Sequence, residues 1–255
     1  MKIWIAATLA ALISLPVHAA DAGAVRVEPI AFTTSADSVQ RKQSIKGDQT
    51  AEYRFNARAG QMLTVDFKPS NPSAYFNITA KGADYALFNG SIMGNHFLGT
   101  LPSDGEYTVQ VYLMRNAARR NESANFALTI GVTGQPLAAT PAARDALLPG
   151  TPFHASAMIA CMPPYDAKTK ECEAFVIRRG FDGTATVEVR WGEGLKRRIL
   201  FVKGKPVAAD ATAPLSVERR GDVSVVHFGG EERFEIPDAP GNHRLDSLSN
   251  IVQTR

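Results

Sequence analysis

The chain has 255 residues, and its 28 lysines and arginines nearly balance 25 aspartates and glutamates, giving a formal net charge of +3. This balance excludes a general nucleic-acid binder, whose footprint is a strongly basic face. Beyond the N-terminal segment no apolar run is long enough to cross a bilayer, so no membrane-spanning helix is predicted.

Residues 1–19 are typical of a cleavable signal peptide. Lys2 precedes the apolar run IWIAATLAALISL, and the small residues Val17 and Ala19 fit the −3 and −1 positions of a signal-peptidase site. The run is shorter than the ~20 residues that span a bilayer, which disfavours a membrane anchor. The sequence therefore predicts an exported protein.

Residues 20–133 are predicted to form an antiparallel β-sandwich. Apolar and polar residues alternate with the period of two that a half-buried strand requires. Turn signals such as ARAGQ and PSDGE separate the alternating runs, and no long stretch has the 3.6 period of an amphipathic helix. The clearest runs are EYRFNA, QMLTVDF, EYTVQVYL and NFALTIGV.

A linker and a second β domain are predicted to follow. Residues 134–152 hold four prolines and five alanines and have no sustained strand alternation, which is typical of a linker. Residues 153–240 contain about six short alternating runs separated by glycine-bearing turns, which indicates a small antiparallel meander or barrel. Residues 241–255 form a tail. The predicted fold class is therefore all-β.

The chain has two cysteines, Cys161 and Cys172. In an exported protein such a pair is most simply one disulfide, which would stabilise the fold by roughly 2–4 kcal/mol. Two thiolates without a nearby histidine cannot fill a tetrahedral zinc shell, and the redox pattern C-x-x-C is absent. The sequence predicts no metal and no cofactor.

Catalytic signatures are missing from the sequence. It has no H-E-x-x-H, S-x-x-K or G-x-S-x-G motif, no P-loop, and no G-x-G-x-x-G that opens a helix. The histidines are scattered, with His96 between glycines and His227 in a predicted strand. A desolvated carboxylate beside either histidine would indicate an enzyme. We predict a protein that is not an enzyme.

The connection LMRNAARRNES, residues 113–123, is longer than a tight hairpin turn and carries Arg115, Arg119 and Arg120. A single helical turn would place Arg115 and Arg119 on one face. Tyr112 and Met114 bring aromatic and apolar surface beside these cations. Because guanidinium groups pair with carboxylates through two parallel hydrogen bonds, the connection predicts an acidic partner. The alternative is a solvated loop that only maintains solubility.

The first domain resembles the periplasmic inhibitors of goose-type (g-type) lysozyme. The resemblance covers about residues 44–132 and rests on these runs: Ile45-Lys46-Gly47, Gly60-Gln61, Leu101-Pro102 with Gly105 and Tyr107, and Arg115-Asn116-x-Ala118-Arg119. It implies a periplasmic β-sandwich that blocks the active-site cleft of a peptidoglycan-degrading glycosidase. The resemblance implies that Arg115, Asn116 and Arg119 are inhibitory residues; Arg120 and Tyr112 are added because they are close in sequence.

The resemblance does not extend over the whole chain. Residues 68–99 match no run of the family, and the second domain resembles an exported module of unassigned function. The alternative function is therefore a non-catalytic cell-envelope module that recognises peptidoglycan, a sugar or another exported protein. In the second domain, three adjacent arginine pairs are expected to be charged strand edges that prevent sheet-to-sheet aggregation, and a basic face for acidic polymers is the alternative. The pairs are Arg178-Arg179, Arg197-Arg198 and Arg219-Arg220.

Overall fold

The chain was analysed as a computed structural model. The predicted signal peptide, residues 1–19, and the predicted tail, residues 241–255, lie outside the described residues. No helix among the described residues is long and apolar enough to cross a membrane. The structure describes residues 23–32, 37–166, 168–192, 194–230 and 232–238.

Nine strands and two short helices form the N-terminal β-sandwich. One sheet has the order β1-β3-β8-β5-β6 and the other has the order β2-β9-β4-β7. The strands are β1 (Val25–Pro29), β2 (Ser38–Lys46), β3 (Thr50–Ala57), β4 (Met62–Pro69), β5 (Ala74–Ala80), β6 (Phe88–Asn89), β7 (His96–Thr100), β8 (Gly105–Leu113) and β9 (Ser123–Thr133). The helices are α1 (Gly90–Met93), between β6 and β7, and α2 (Arg115–Arg119), between β8 and β9.

The predicted alternation builds the core of the sandwich. In β3, β4, β8 and β9 every second residue is buried, and these inward residues of the two sheets pack into one apolar cluster. Tyr53, Leu63, Val109 and Leu128 are all fully buried in it. The sandwich is therefore confirmed. One pairing differs from the prediction, because β1 runs parallel to β3 while the other pairs are antiparallel.

The second domain is one eight-stranded antiparallel sheet that curls into a near-barrel. Its order is β14-β13-β12-β11-β10-β17-β16-β15, and the two outermost strands contact each other at one end. Cys161 and Cys172 form the predicted disulfide inside its core. The sequence indicated about six strands, fewer than the eight found: β10 (Ala155–Met162), β11 (Glu171–Arg178), β12 (Ala185–Trp191), β13 (Leu195–Val202), β14 (Lys205–Ala209), β15 (Leu215–Arg220), β16 (Val223–Phe228) and β17 (Glu232–Pro237).

The sandwich has two ends with different neighbours. The connections 58–61, 81–87 and 101–104 lie at the end that we call the junction end, since it contacts the second domain. There the Thr186 hydroxyl donates to the Pro102 carbonyl at 2.8 Å, and the backbone N–H of Lys196 donates to Asp84 at 2.9 Å. The connections 47–49, 70–73 and 114–122 lie at the opposite end, which we call the arginine end.

Candidate partner-binding surface

The connection between β8 and β9 contains one short helical turn, α2, which begins at Arg115 and ends at Arg119. Ala117 and Ala118 of α2 face the core and are buried. Their small side chains let α2 lie close against the end of the core. After α2 the chain turns back towards β9, and the backbone N–H of Asn121 donates to the Ala118 carbonyl at 2.8 Å. The arginines at the first and last positions of α2 consequently point away from the core side and are exposed.

Two neighbouring connections hold α2 in place. The backbone N–H of Gly47 donates to the Glu122 carbonyl at 2.9 Å, and the Asn71 amide donates to the Glu122 carboxylate at 2.9 Å. The backbone N–H of Met114 donates to the Ser73 carbonyl at 2.9 Å. Residues 70–73 belong to the stretch with no sequence match to the inhibitor family, and the structure shows that part of this stretch supports the arginine connection.

Arg115 and Arg119 are exposed and make no ion pair or hydrogen bond with any residue that the structure describes. Arg120 differs from them, because its guanidinium pairs with Glu122 at 2.6 Å. Hydrogen bonds from Asn71 and then from Arg120 lower the pKa of Glu122 below its ordinary value. At the arginine end, Arg115 and Arg119 therefore have no partner among the described residues, whereas the charge of Arg120 is balanced by Glu122.

The other two predicted site residues have local roles. The Asn116 side chain is exposed, and its Oδ1 accepts a hydrogen bond from the backbone N–H of Ala117 at 2.8 Å, which shapes the first turn of α2. Tyr112 is half-buried on the outer face of β8, where its hydroxyl donates to Asn77 at 3.3 Å. Its ring lies 6.4 Å from that of Tyr75 on β5. Tyr112 therefore lies on the side of the sandwich, next to the start of α2.

The expectation for the arginine pairs of the second domain was wrong for four of the six residues. The Arg179 guanidinium is fully buried and pairs at 3.0 Å with Asp104 of the sandwich, and Arg197 is buried against Glu232 at 2.7 Å. Their partners are 75 and 35 residues away in sequence, so the alternation alone gave no signal. Arg178 pairs with Asp145 and Arg198 with Glu188, and both are largely covered, whereas Arg219 and Arg220 of β15 remain near half-exposed.

Neither histidine considered in the sequence lies beside a desolvated carboxylate. His96 Nδ1 lies 2.7 Å from Asp66, and both side chains are about half exposed at the sheet surface. His227 is partly exposed on β16, opposite Arg233 of β17. The carboxyl with the most raised pKa is Asp210, which burial brings to about 6, and its neighbours are Arg197 and Arg198. Within the described residues, no three side chains of the metal-ligating types come together.

Comparison with known proteins finds solved structures that are similar to the first domain. No family model matches the chain, and no curated protein matches it. Among solved structures, an Aeromonas hydrophila PliG, a periplasmic lysozyme inhibitor of g-type lysozyme, is 34% identical. The match covers 97% of that protein and 43% of this chain, with a TM-score of 0.40.

The PliG proteins of two further species are more distant. The Salmonella Typhimurium protein is 27% identical, with 98% of it and 42% of this chain covered and a TM-score of 0.34. A PliG mutant from Escherichia coli is also 27% identical, with 98% of it and 43% of this chain covered and a TM-score of 0.34. In each case more than half of this chain lies outside the match.

The described residues form an all-β fold whose N-terminal sandwich presents Arg115 and Arg119 at its arginine end, unpaired with any described residue. At 34% identity over nearly the whole Aeromonas protein, this domain belongs to the family of periplasmic inhibitors of g-type lysozyme. Identity and coverage carry this assignment, and the TM-scores do not. The assignment covers one domain only, so the second domain is an addition to the family's single-domain length.

Proposed function

We propose that this chain is an exported, periplasmic inhibitor that binds a g-type lysozyme and blocks its active-site cleft with α2. The observation that carries the proposal is the pair Arg115 and Arg119. Both are exposed and have no partner within the described part of the chain, on a helix whose buried alanines fix its position. A glycosidase cleft contains catalytic carboxyl groups, and a guanidinium is the cationic group best shaped to pair with a carboxylate.

Preorganisation makes this pairing effective. An arginine on a free loop would lose side-chain and backbone freedom on binding, which weakens the net interaction. Here the backbone of α2 is already held by hydrogen bonds from residues 47 and 73, so mainly the side chains become ordered. Pairs of this kind, once removed from water, are frequent hot spots, and removal of one member costs about 2–4 kcal/mol.

The position of the second domain is compatible with this function. It contacts the junction end of the sandwich, through Pro102 and Asp104, at the far ends of the strands from α2. An enzyme can therefore approach the arginine end without meeting the second domain. Inhibition by this route is a matter of occupying the cleft and requires no chemistry by the inhibitor.

The test is a lysis assay with goose-type lysozyme and purified mature protein. Wild-type protein should slow the lysis of peptidoglycan at micromolar concentration, and Arg115→Ala/Arg119→Ala should weaken inhibition by at least about 100-fold, as expected for a loss near 3 kcal/mol. The matched control is Arg58→Ala, which removes an exposed arginine at the junction end. Wild-type protein without effect on lysis, or a double variant that inhibits like wild type, would refute the proposal.

A further inference from the structure

The unpaired cations of the sandwich continue from α2 onto one of its two faces. Lys42 and Lys46 of β2 and Lys68 of β4 are exposed on the outer face of the four-stranded sheet. None of the three makes an ion pair or hydrogen bond with its side chain to a described residue. The strands β2, β4, β7 and β9 carry one carboxylate, Asp66, whose Oδ1 lies 2.7 Å from His96 Nδ1.

Lys42 and Lys68 flank a groove. Both are register partners of Ala127 on the central strand β9, so they lie on either side of it, about 10 Å apart across two strand spacings. The groove is shallow and wide open to solvent, and Ser44, Asn125 and Ala127 contribute to its lining. Short side chains on the central strand thus leave room between two cations that make no ion pair with any described residue.

Lys46 connects this groove to the arginine end. It lies at the end of β2, next to Gly47, whose backbone is hydrogen-bonded to the connection that carries α2. Four residues separate Lys46 from Lys42, so the row of lysines extends about 13 Å along the face. The row of lysines therefore leads from the groove to the arginine end, where the connection 47–49 also carries the exposed Asp48.

The opposite face of the sandwich has a different charge pattern. There Glu52 pairs with Arg54 at 2.6 Å, and Glu106 lies 3.8 Å from Lys81. Most charged side chains on that face therefore lie next to a side chain of opposite charge. Among the described residues of the sandwich, five cations without an ion pair lie on one face or at the arginine end, namely Lys42, Lys46, Lys68, Arg115 and Arg119, whereas Arg58 is exposed at the junction end.

We infer that Lys42, Lys46 and Lys68 form a second contact zone that receives an acidic surface segment of the enzyme whose cleft α2 enters. This inference rests on the proposed function and deepens it. A protein that inserts α2 into a cleft also brings an adjoining face against one wall of that cleft. Charges at such a rim act mainly on the rate of association and on its salt dependence.

The experiment measures association and dissociation rates with goose-type lysozyme. At about 0.01 M salt, where the Debye length is near 30 Å, Lys42→Glu/Lys68→Glu should associate about tenfold more slowly than wild type, with little change in dissociation. At about 1 M salt, where the Debye length is near 3 Å, the difference should disappear. Lys42→Gln/Lys68→Gln should show a smaller effect in the same direction.

The matched control is Lys203→Glu/Lys205→Glu, which makes the same change in charge at exposed sites on the second domain. It should leave association nearly unchanged. Equal association rates for Lys42→Glu/Lys68→Glu and the control would overturn the inference. So would an unchanged association rate together with lost retention on purified peptidoglycan, which would assign the groove to an anionic wall polymer.

Failure of the proposed function has a different signature. In that case wild-type protein and every variant show no binding to the enzyme, and both proposals are overturned. When the proposed function is right and only the second contact zone is wrong, wild type binds the enzyme and Arg115→Ala/Arg119→Ala accelerates dissociation. In that case Lys42→Glu/Lys68→Glu associates at the same rate as wild type.

Discussion

Gly47 tests whether inhibition depends on the fixed position of α2. Its φ is +59°, in the left-handed region that L-residues rarely adopt, and an added Cβ would lie 2.9 Å from Asn121 Oδ1. Forcing alanine into this conformation costs about 1 kcal/mol, and displacing the Asn121 side chain adds a smaller amount. We therefore expect Gly47→Ala to lower the free energy of unfolding by about 1–2 kcal/mol.

The same strain should weaken inhibition. If the connection relieves about 1 kcal/mol by moving away from Asn121, the binding-competent position of α2 falls to roughly a fifth of the population. The inhibition constant should then rise about fivefold, although Arg115 and Arg119 are unchanged. The assay is lysozyme inhibition measured alongside chemical denaturation of the same samples.

Gly82→Ala is the matched control for this prediction. Gly82 has a φ of +69° and lies at the junction end, where an added Cβ would come no closer than 3.4 Å to Lys196 Nζ. It should lose similar stability and retain full inhibition. A Gly47→Ala variant that is destabilised but inhibits like wild type would refute the preorganisation argument, as would equal loss of inhibition in both variants.

Three further predictions concern the second domain. Arg179→Ala should cost about 2–4 kcal/mol of stability because it leaves buried partners without a donor, yet inhibition by the intact folded protein should not change; denaturation and lysis assays check both points. Replacing Cys161 and Cys172 by serine should cost about 2–4 kcal/mol, again without effect on inhibition, and a loss of inhibition in the folded variant would contradict this. Burial raises the pKa of Asp210 from its ordinary 3.8 to about 6, so the Asp210 carboxyl binds a proton more tightly in the folded chain than in the unfolded chain. Protonation of Asp210 therefore stabilises the fold as the pH falls from 7 to 4. Relative to Asp210→Asn, wild type should therefore gain up to about 3 kcal/mol over this range in denaturation series, and a pH-independent difference would contradict the assignment.

Local patterns were sufficient to predict most of the sandwich. Alternation identified strands such as β4 and β9, because a half-buried strand imposes a period of two on its own residues. The four-residue spacing of Arg115 and Arg119 indicated only that a helical turn, if one formed, would place both on one face, and α2 is such a turn. The disulfide followed from the two cysteines of a chain whose sequence predicts export.

Features made by distant segments could not be predicted in this way. The lysine groove joins residues of β2, β4 and β9, and nothing local to Lys42 indicates that Lys68 lies across Ala127 from it. In the sequence, Arg179 has the pattern of a solvated residue at the end of a strand. Its burial depends on Asp104, which belongs to the other domain. The parallel pairing of β1 with β3 likewise depends on tertiary packing.

The central claim is that Arg115 and Arg119 pair with carboxyl groups inside the cleft of the enzyme. A double-mutant cycle tests it most directly, with Arg115→Ala and Arg119→Ala combined with replacement of a catalytic carboxylate residue in the cleft of goose-type lysozyme by its amide. The account predicts a coupling energy of at least about 1.5 kcal/mol for one of the two arginines, in the range measured for close charge pairs at interfaces. Additive losses for both arginines, with coupling near zero, would contradict it.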